Sequence, residues 1–263
     1  MTACAALAAA TAACGTTHTI STTPVAAPRP STVIAPGVLA RGPAAVQPDW
    51  PAHRVVDCRR RKCVALTFDD GPGEYTGRLL DLLRERRVRA TFFVVGQMVA
   101  ADHTGLTRRI VEDGHELGNH SWSHPPLTAL SDERLRRELA DTEEIVQRTT
   151  GVRMGLMRPP YGATNARVAE QARHEGLAQI LWSVDTLDWR DRNAGIVARR
   201  AGHAAPGAIV LLHDIHPTSV AAVPRVLDTL TRKGYHFVTV SELYGRALLP
   251  GRRYESAEPP GAR

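Results

Sequence analysis

The sequence predicts an α/β domain built on a parallel sheet, and three observations carry that prediction. Short β-rich apolar runs alternate with amphipathic helical runs across residues 54–249. The strand runs are continuously apolar instead of alternating, as strands covered by helices on both faces must be. Polar residues of the kinds that do chemistry stand just after those runs, at the strand ends where parallel α/β folds build their sites.

Val64-Ala65-Leu66-Thr67-Phe68 is the first buried strand, and Leu79, Leu80, Leu82 and Leu83 repeat at helical spacing within residues 76–88. Residues 90–96, with Phe92, Phe93, Val94 and Val95, form the second strand. A helix over 106–113 is stopped by Gly114, and 115–119 is a short third strand. Residues 131–150 are the clearest helix: Ser131 caps it, Glu133 and Glu138 charge its early turns, and Gly151 ends it. Strands over 155–157, 180–184, 208–212 and 236–240 follow, with helices over 165–174, 196–201 and 220–233 between them. Seven strand–helix units result, and an open doubly wound sheet and a closed barrel both fit them.

The flanks differ in composition. Residues 1–23 are small, apolar and nearly uncharged, like the apolar and cleavage regions of an export signal, although no positive n-region precedes them. Thr11-Ala12-Ala13-Cys14 has the outline of a lipobox, with Thr11 where Leu or Val is usual, so Cys14 is a candidate lipid anchor to the membrane. The apolar run is too short and interrupted for a transmembrane helix. Residues 24–53 read as a flexible, Pro/Ala-rich, wall-spanning linker, and 250–263 as a disordered tail. A monomer that is secreted or held in the cell envelope is expected.

The 263 residues carry a net charge of +6, nearly all of the base being arginine, since only Lys62 and Lys233 are lysines. Such a balance suits an anionic partner such as an acidic wall polymer or a membrane face, or follows from an Arg/Ala-rich composition. No compact Lys/Arg block with interleaved aromatics is present, which argues against nucleic acid. Cys58 and Cys63 flank Arg59-Arg60-Arg61-Lys62, without the spacing of a C-x-x-C redox motif. In an exported chain they would close a small disulfide loop; in a reducing compartment they would stay free thiols.

Five polar clusters stand at strand ends. Asp69 and Asp70 are adjacent carboxylates, costly to place together unless a cation neutralises them, and Gly71-Pro72 turns the chain away. His120 and His124 are spaced as metal ligands, and with a nearby Asp they make a two-His-one-carboxylate set with open positions. Arg158-Pro159-Pro160-Tyr161-Gly162 is a stiff turn able to fix an amide N–H and a guanidinium. Asp185-Thr186-Leu187-Asp188-Trp189 offers Asp185 as a bidentate partner for Arg158 and Trp189 as a wall for a sugar ring. His213, at the end of a strongly apolar run, is a general-acid candidate. Alone, each cluster also reads as a turn, a loop or a satisfied core histidine; five at five strand ends is harder to produce that way.

The ordered set TFDDGP, HSWSH, RPPYG, DTLDW and LLHD resembles the polysaccharide deacetylases, also called NodB-homology proteins or family-four carbohydrate esterases, over residues 64–244. The resemblance implies a distorted (β/α) barrel of about seven parallel strands. It also implies metal-dependent removal of acetyl groups from a polysaccharide such as peptidoglycan or a chitin-like N-acetylglucosamine polymer. Carried over by position, it gives Asp69 as base, Asp70, His120 and His124 as ligands of a divalent ion (Zn²⁺ first, Co²⁺ or another second), and Arg158 as orienter of the base with Asp185 as its partner. It gives the Tyr161 N–H to the oxyanion, Trp189 and Leu211 to the acetyl pocket, and His213 as acid. Met157 and Pro126 depart from what is frequent in relatives.

Three alternatives stand beside this reading. The same site can attack an ester, as in an acetyl-xylan esterase. A two-His-one-carboxylate oxygenase usually pairs its ligands as H-x-D on a β-sandwich, which this chain does not show. A glycan-binding protein without turnover has no need of Asp69 together with His213.

Overall fold

In the computed structural model the described residues are 56–261. The expected export segment, its Cys14 and the linker to residue 53 lie outside them. The strands are β1 (Cys63–Asp69), β2 (Thr91–Val94), β3 (Glu116–Asn119), β4 (Leu156–Met157), β5 (Ala178–Ile180), β6 (Val184–Asp185), β7 (Ile209–His213), β8 (His236–Phe237) and β9 (Arg253–Tyr254). The helices are α1 (Thr76–Glu85), α2 (Gly96–Ala100), α3 (Leu106–Glu112), α4 (Asp132–Thr150), α5 (Ala166–His174), α6 (Asp188–Asp191), α7 (Ala194–Ala201), α8 (Pro217–Arg232) and α9 (Val240–Tyr244). The strand order is β6-β7-β1-β2-β3-β4-β5-β9, with β8 on β1, and every strand pair is parallel. All strand C-termini therefore open on one end.

The expected strand over 180–184 resolves into two. β5 pairs with β4 and β9, while β6 pairs with β7. Between them the Leu181 N–H donates to the Tyr254 carbonyl at 2.8 Å and the Ser183 N–H to the Ile209 carbonyl at 3.1 Å. One extended segment thus leaves one end of the sheet and joins the other, curling it into a distorted barrel. The stretch from Pro250, expected to be a disordered tail, is instead ordered as far as residue 261. β9 extends β5, the Ala257 N–H donates to the Gly207 carbonyl at 2.9 Å, and Tyr254 is buried against the Tyr244 ring. The burial of that one aromatic offsets the polar composition around it.

Alternation along the strands sorts the core. Val64, Leu66, Phe68, Phe92, Val94, Val210 and Leu212 face outward under the helices, among Leu79, Leu80, Leu135, Val223 and Val226. Each such side chain contributes about 1.5–3 kcal/mol by leaving water. Cys63, Ala65, Phe93, Ile180 and Ile209 face inward and form a smaller apolar plug with Val240, Leu243 and Tyr254. A disulfide ties Cys63, the first residue of β1, to Cys58 in the turn before it. The helix over 131–150 forms as predicted, with the Ser131 hydroxyl accepting from the Arg134 N–H and Gly151 left-handed at its end.

Candidate active site

The inward residues of β1 rise from apolar to polar: Cys63 and Ala65 in the plug, then Thr67, then Asp69. On the neighbouring strand Leu211 is level with Thr67, and His213 with Asp69. Leu211 is buried yet belongs to neither apolar cluster. Arg158, fully buried, lies between the plug and the opening. Its guanidinium donates to Asp69 Oδ1 and Thr67 Oγ1, both at 2.7 Å, and to the Ile180 and Leu181 carbonyls, both at 3.0 Å. It stacks on Phe93 with the central carbon 4.2 Å from the ring centroid. Phe93 reaches that place because its β3 neighbour is Gly118, where any Cβ would meet the Phe93 ring. The buried cation fixes Asp69 Oδ1 and leaves Oδ2 toward the opening.

Asp70, His120 and His124 converge above this floor, each offering a donor atom within 4.8 Å of the others. Asp70 Oδ1 lies 3.4 Å from His120 Nε2 and 3.2 Å from His124 Nε2. Both imidazoles are turned to present Nε2. His120 Nδ1 sits 2.7 Å from the Arg158 carbonyl, which can only accept, so Nδ1 holds the hydrogen. His124 Nδ1 is 3.2 Å from the Tyr161 hydroxyl. Burial pushes the His124 pKa down, with the neighbouring His120 adding to it, which keeps a lone pair available. For Asp70 burial works toward a higher pKa, but the imidazoles around it, the charged His213 among them, prevail and bring it to about 2. Asp70 Oδ1 is buried with no hydrogen-bond donor. An orphaned carboxylate oxygen facing two imidazole lone pairs fits a divalent cation.

This arrangement is held at a cost. Asp70, Ser121, His124, Tyr161 and Leu187 all have left-handed φ without being glycine, each costing on the order of 1–3 kcal/mol. Helix α4 supplies the restraint behind the histidine loop. Glu138 accepts from the Ser123 N–H at 2.8 Å and the Ser123 hydroxyl at 2.7 Å. Asn119 donates to the Leu139 carbonyl and accepts from the Ser121 N–H, both at 2.9 Å.

His213 faces this cluster from β7. Its Nδ1 and its backbone N–H each meet Asp188 at 2.8 Å, and Asp188 also accepts from the Ser219 hydroxyl at 2.5 Å and the Trp189 N–H at 2.9 Å. Burial alone would lower the His213 pKa. The hydrogen bond and charge of Asp188, with Asp69 and Asp70 beyond, override it and push the pKa up to about 9.

Asp185 is not the partner of Arg158. Its Oδ1 accepts from the Leu187 N–H at 2.8 Å and shapes the turn, while Thr67, Asp69 and two carbonyls already take the guanidinium. The left-handed Leu187 swings Asp188, not Asp185, under His213. The second acid of DTLDW was the available signal, since β6 lies beside β7. Thr67, Glu138 and Ser219 carried no sequence signal. Tyr161 is exposed and its N–H has no acceptor among the described residues; Trp189 is likewise exposed at the rim.

Comparison with known proteins meets this geometry. The family model for polysaccharide deacetylase matches residues 57–180. The peptidoglycan-N-acetylglucosamine deacetylase PgdA of Listeria monocytogenes is 46% identical over 202 residues, covering 76% of this chain and only 42% of that relative. A peptidoglycan-N-acetylglucosamine deacetylase of Bacillus cereus is 39% identical over 189 residues, covering 69% of this chain and 88% of that one. Among solved structures, a deacetylase with bound substrate is 43% identical with a TM-score of 0.73, covering 76% of this chain and 100% of that one. The chain belongs to the polysaccharide deacetylase family.

Proposed function

We propose that this chain is a metal-dependent hydrolase that removes N-acetyl groups from a cell-wall-type polysaccharide, peptidoglycan or a related N-acetylglucosamine polymer, releasing acetate. One observation carries the reading. An Asp70–His120–His124 donor set lies between an Arg-held carboxylate, Asp69, and an Asp-backed imidazole, His213. The deacetylase names of its relatives support it, and their peptidoglycan substrates favour a wall polymer.

Asp70, His120 and His124 would hold the ion, and two imidazole nitrogens with one carboxylate oxygen suit Zn²⁺. Bound there, a divalent ion supplies Lewis-acid polarisation of the acetyl carbonyl and acidification of water. Asp69 Oδ2 takes the proton of the attacking water while Arg158 holds Oδ1 in place. The free Tyr161 N–H meets the developing oxyanion, a contact whose loss typically costs about 3 kcal/mol of barrier. As the C–N bond breaks, His213 Nε2 gives its proton to the departing nitrogen; an amide needs that proton more than an ester does. The products are acetate and a free amino sugar. Leu211 lines the seat of the acetyl methyl, and Trp189 the wall for a sugar ring. Among the described residues no helix is long and apolar enough to cross a membrane, and the export-like leader favours work in the cell envelope.

The test is acetate release from purified peptidoglycan, chitin oligomers and acetyl-xylan side by side. Release from the two N-acetylated polymers is expected. Turnover of acetyl-xylan alone would replace this reading with O-deacetylation, and no release from any would end it.

A further inference from the structure

Helices α7 and α8 lie side by side outside the barrel; both start at the catalytic end, where Ser219 of α8 holds Asp188, and run away from it. They enclose a surface groove of about 320 Å³. Its floor is made of residues with little or no side chain: Ala198 is buried, and Gly202 approaches α8 so closely that a Cβ there would meet Thr229 at 3.1 Å. Its rim is basic, with Arg199 and His203 on one side and Arg225 and Lys233 on the other. Spacings of four residues put Arg199 and His203 about 6 Å apart along the groove, and eight residues put Arg225 and Lys233 about 12 Å apart.

Nearby acids do not neutralise this rim. Asp191 is taken by Arg190 and Arg200, and Asp228 by Arg86. Lys233 is fixed over the groove by a hydrogen bond to the Gly202 carbonyl at 2.5 Å, which leaves its charge unpaired. Basic residues in a last helical turn have an ordinary explanation, since they complement the helix dipole. That covers Arg199 but not Arg225, which stands in the middle of α8.

We propose that this groove is a second binding site, for a flexible phosphodiester polymer. Guanidinium forks match phosphate oxygens. A slim chain with charge in its backbone suits a groove whose cations stand along both edges. No Phe, Tyr or Trp lines the groove, so the large ring faces on which nucleic-acid bases stack are missing from it. A flat membrane cannot follow a concave floor. The chain's own first 55 residues are a poor occupant, because they carry Arg29, Arg41 and Arg54 against Asp49 alone. Such a site would hold the enzyme on an anionic matrix while the barrel end stays free for glycan.

The full chain would be titrated with poly(glycerol phosphate) over a range of salt. The variant R199Q/R225Q/K233Q is compared with R78Q/R108Q/R136Q, which loses the same charge from exposed positions elsewhere. Wild type and the second variant are expected to bind alike. The groove variant should bind at least about tenfold more weakly at low salt, with its log–log salt slope shallower by about 2, at about 0.7 per lost contact. Turnover of a short neutral chito-oligosaccharide should be unchanged in all three, which separates this proposal from the deacetylase reading. The proposal is overturned by equal weakening in both variants, by equal affinity for polyglutamate or phosphatidylglycerol vesicles, or by no binding at low salt.

Discussion

Asp188→Asn isolates the His213 pair. The buried carboxylate of Asp188 accepts four hydrogen bonds, two of them from His213. An amide has one acceptor oxygen and would set its NH₂ against a donor. Without the charge the largest upward pull is gone, and burial draws the His213 pKa down from about 9 toward its ordinary 6.5, with Asp69 and Asp70 still holding against it. At about pH 7.5 the protonated fraction then falls from nearly all toward roughly one tenth, so kcat/KM should drop by up to about tenfold from protonation alone. At about pH 5.5 both forms are mostly protonated and this part of the defect should vanish. The same shift predicts a stability effect. A histidine pKa raised on folding stabilises fully below about 6.5 and loses that contribution, on the order of 3 kcal/mol, as pH rises through about 9. Denaturation midpoints of wild type and variant should therefore diverge at pH 6 and draw together above pH 9. NMR titration of the His213 ring in metal-free protein reads the pKa directly. An unchanged ring titration in the variant, or a kcat/KM loss independent of pH, would refute the reasoning.

Two further substitutions probe the supports of the site. Arg158→Met keeps the volume but leaves Asp69 buried without its cation, and breaking such a pair typically costs about 3–5 kcal/mol; urea unfolding should show a loss of that order together with near-complete loss of acetate release. Glu138→Gln removes the charge that anchors both hydrogens of Ser123 behind the histidine loop. It should weaken Zn²⁺ affinity by about 10-fold or more in a chelator competition, by analogy with outer-shell partners, with little change in the unfolding midpoint of the metal-free form.

The strands that carry the chemistry were legible because their signals are local. A continuous apolar run such as residues 64–68, short, β-rich and ended by Gly71-Pro72, reads as a strand buried on both faces, and the residues after it stand at the strand end where α/β folds build their sites. Ser131 and Gly151 likewise delimit α4 by cap chemistry alone. The partner of a side chain is a different matter. Asp185 and Asp188 are equally acidic and three residues apart, and only the left-handed turn at Leu187 decides which reaches His213. Arg158 takes carbonyls of Ile180 and Leu181, and backbone acceptors have no sequence signature. The split of residues 178–185 into β5 and β6 was hidden because one extended run looks the same whether it pairs with one neighbour throughout or changes neighbours midway. Tyr254 belongs to the fold through a long-range pairing that a Gly/Arg/Pro composition conceals.

The central claim is that Asp70, His120 and His124 gather a cation that the hydrolysis needs. The direct measurement is acetate release from an N-acetylated glycan by the purified full chain, before chelation, after chelation with metal content followed by elemental analysis, and after Zn²⁺ add-back. Release should fall with the bound metal and return at about one ion per chain, and His120→Ala should neither retain metal nor recover. Undiminished release from protein shown to be metal-free would contradict the account.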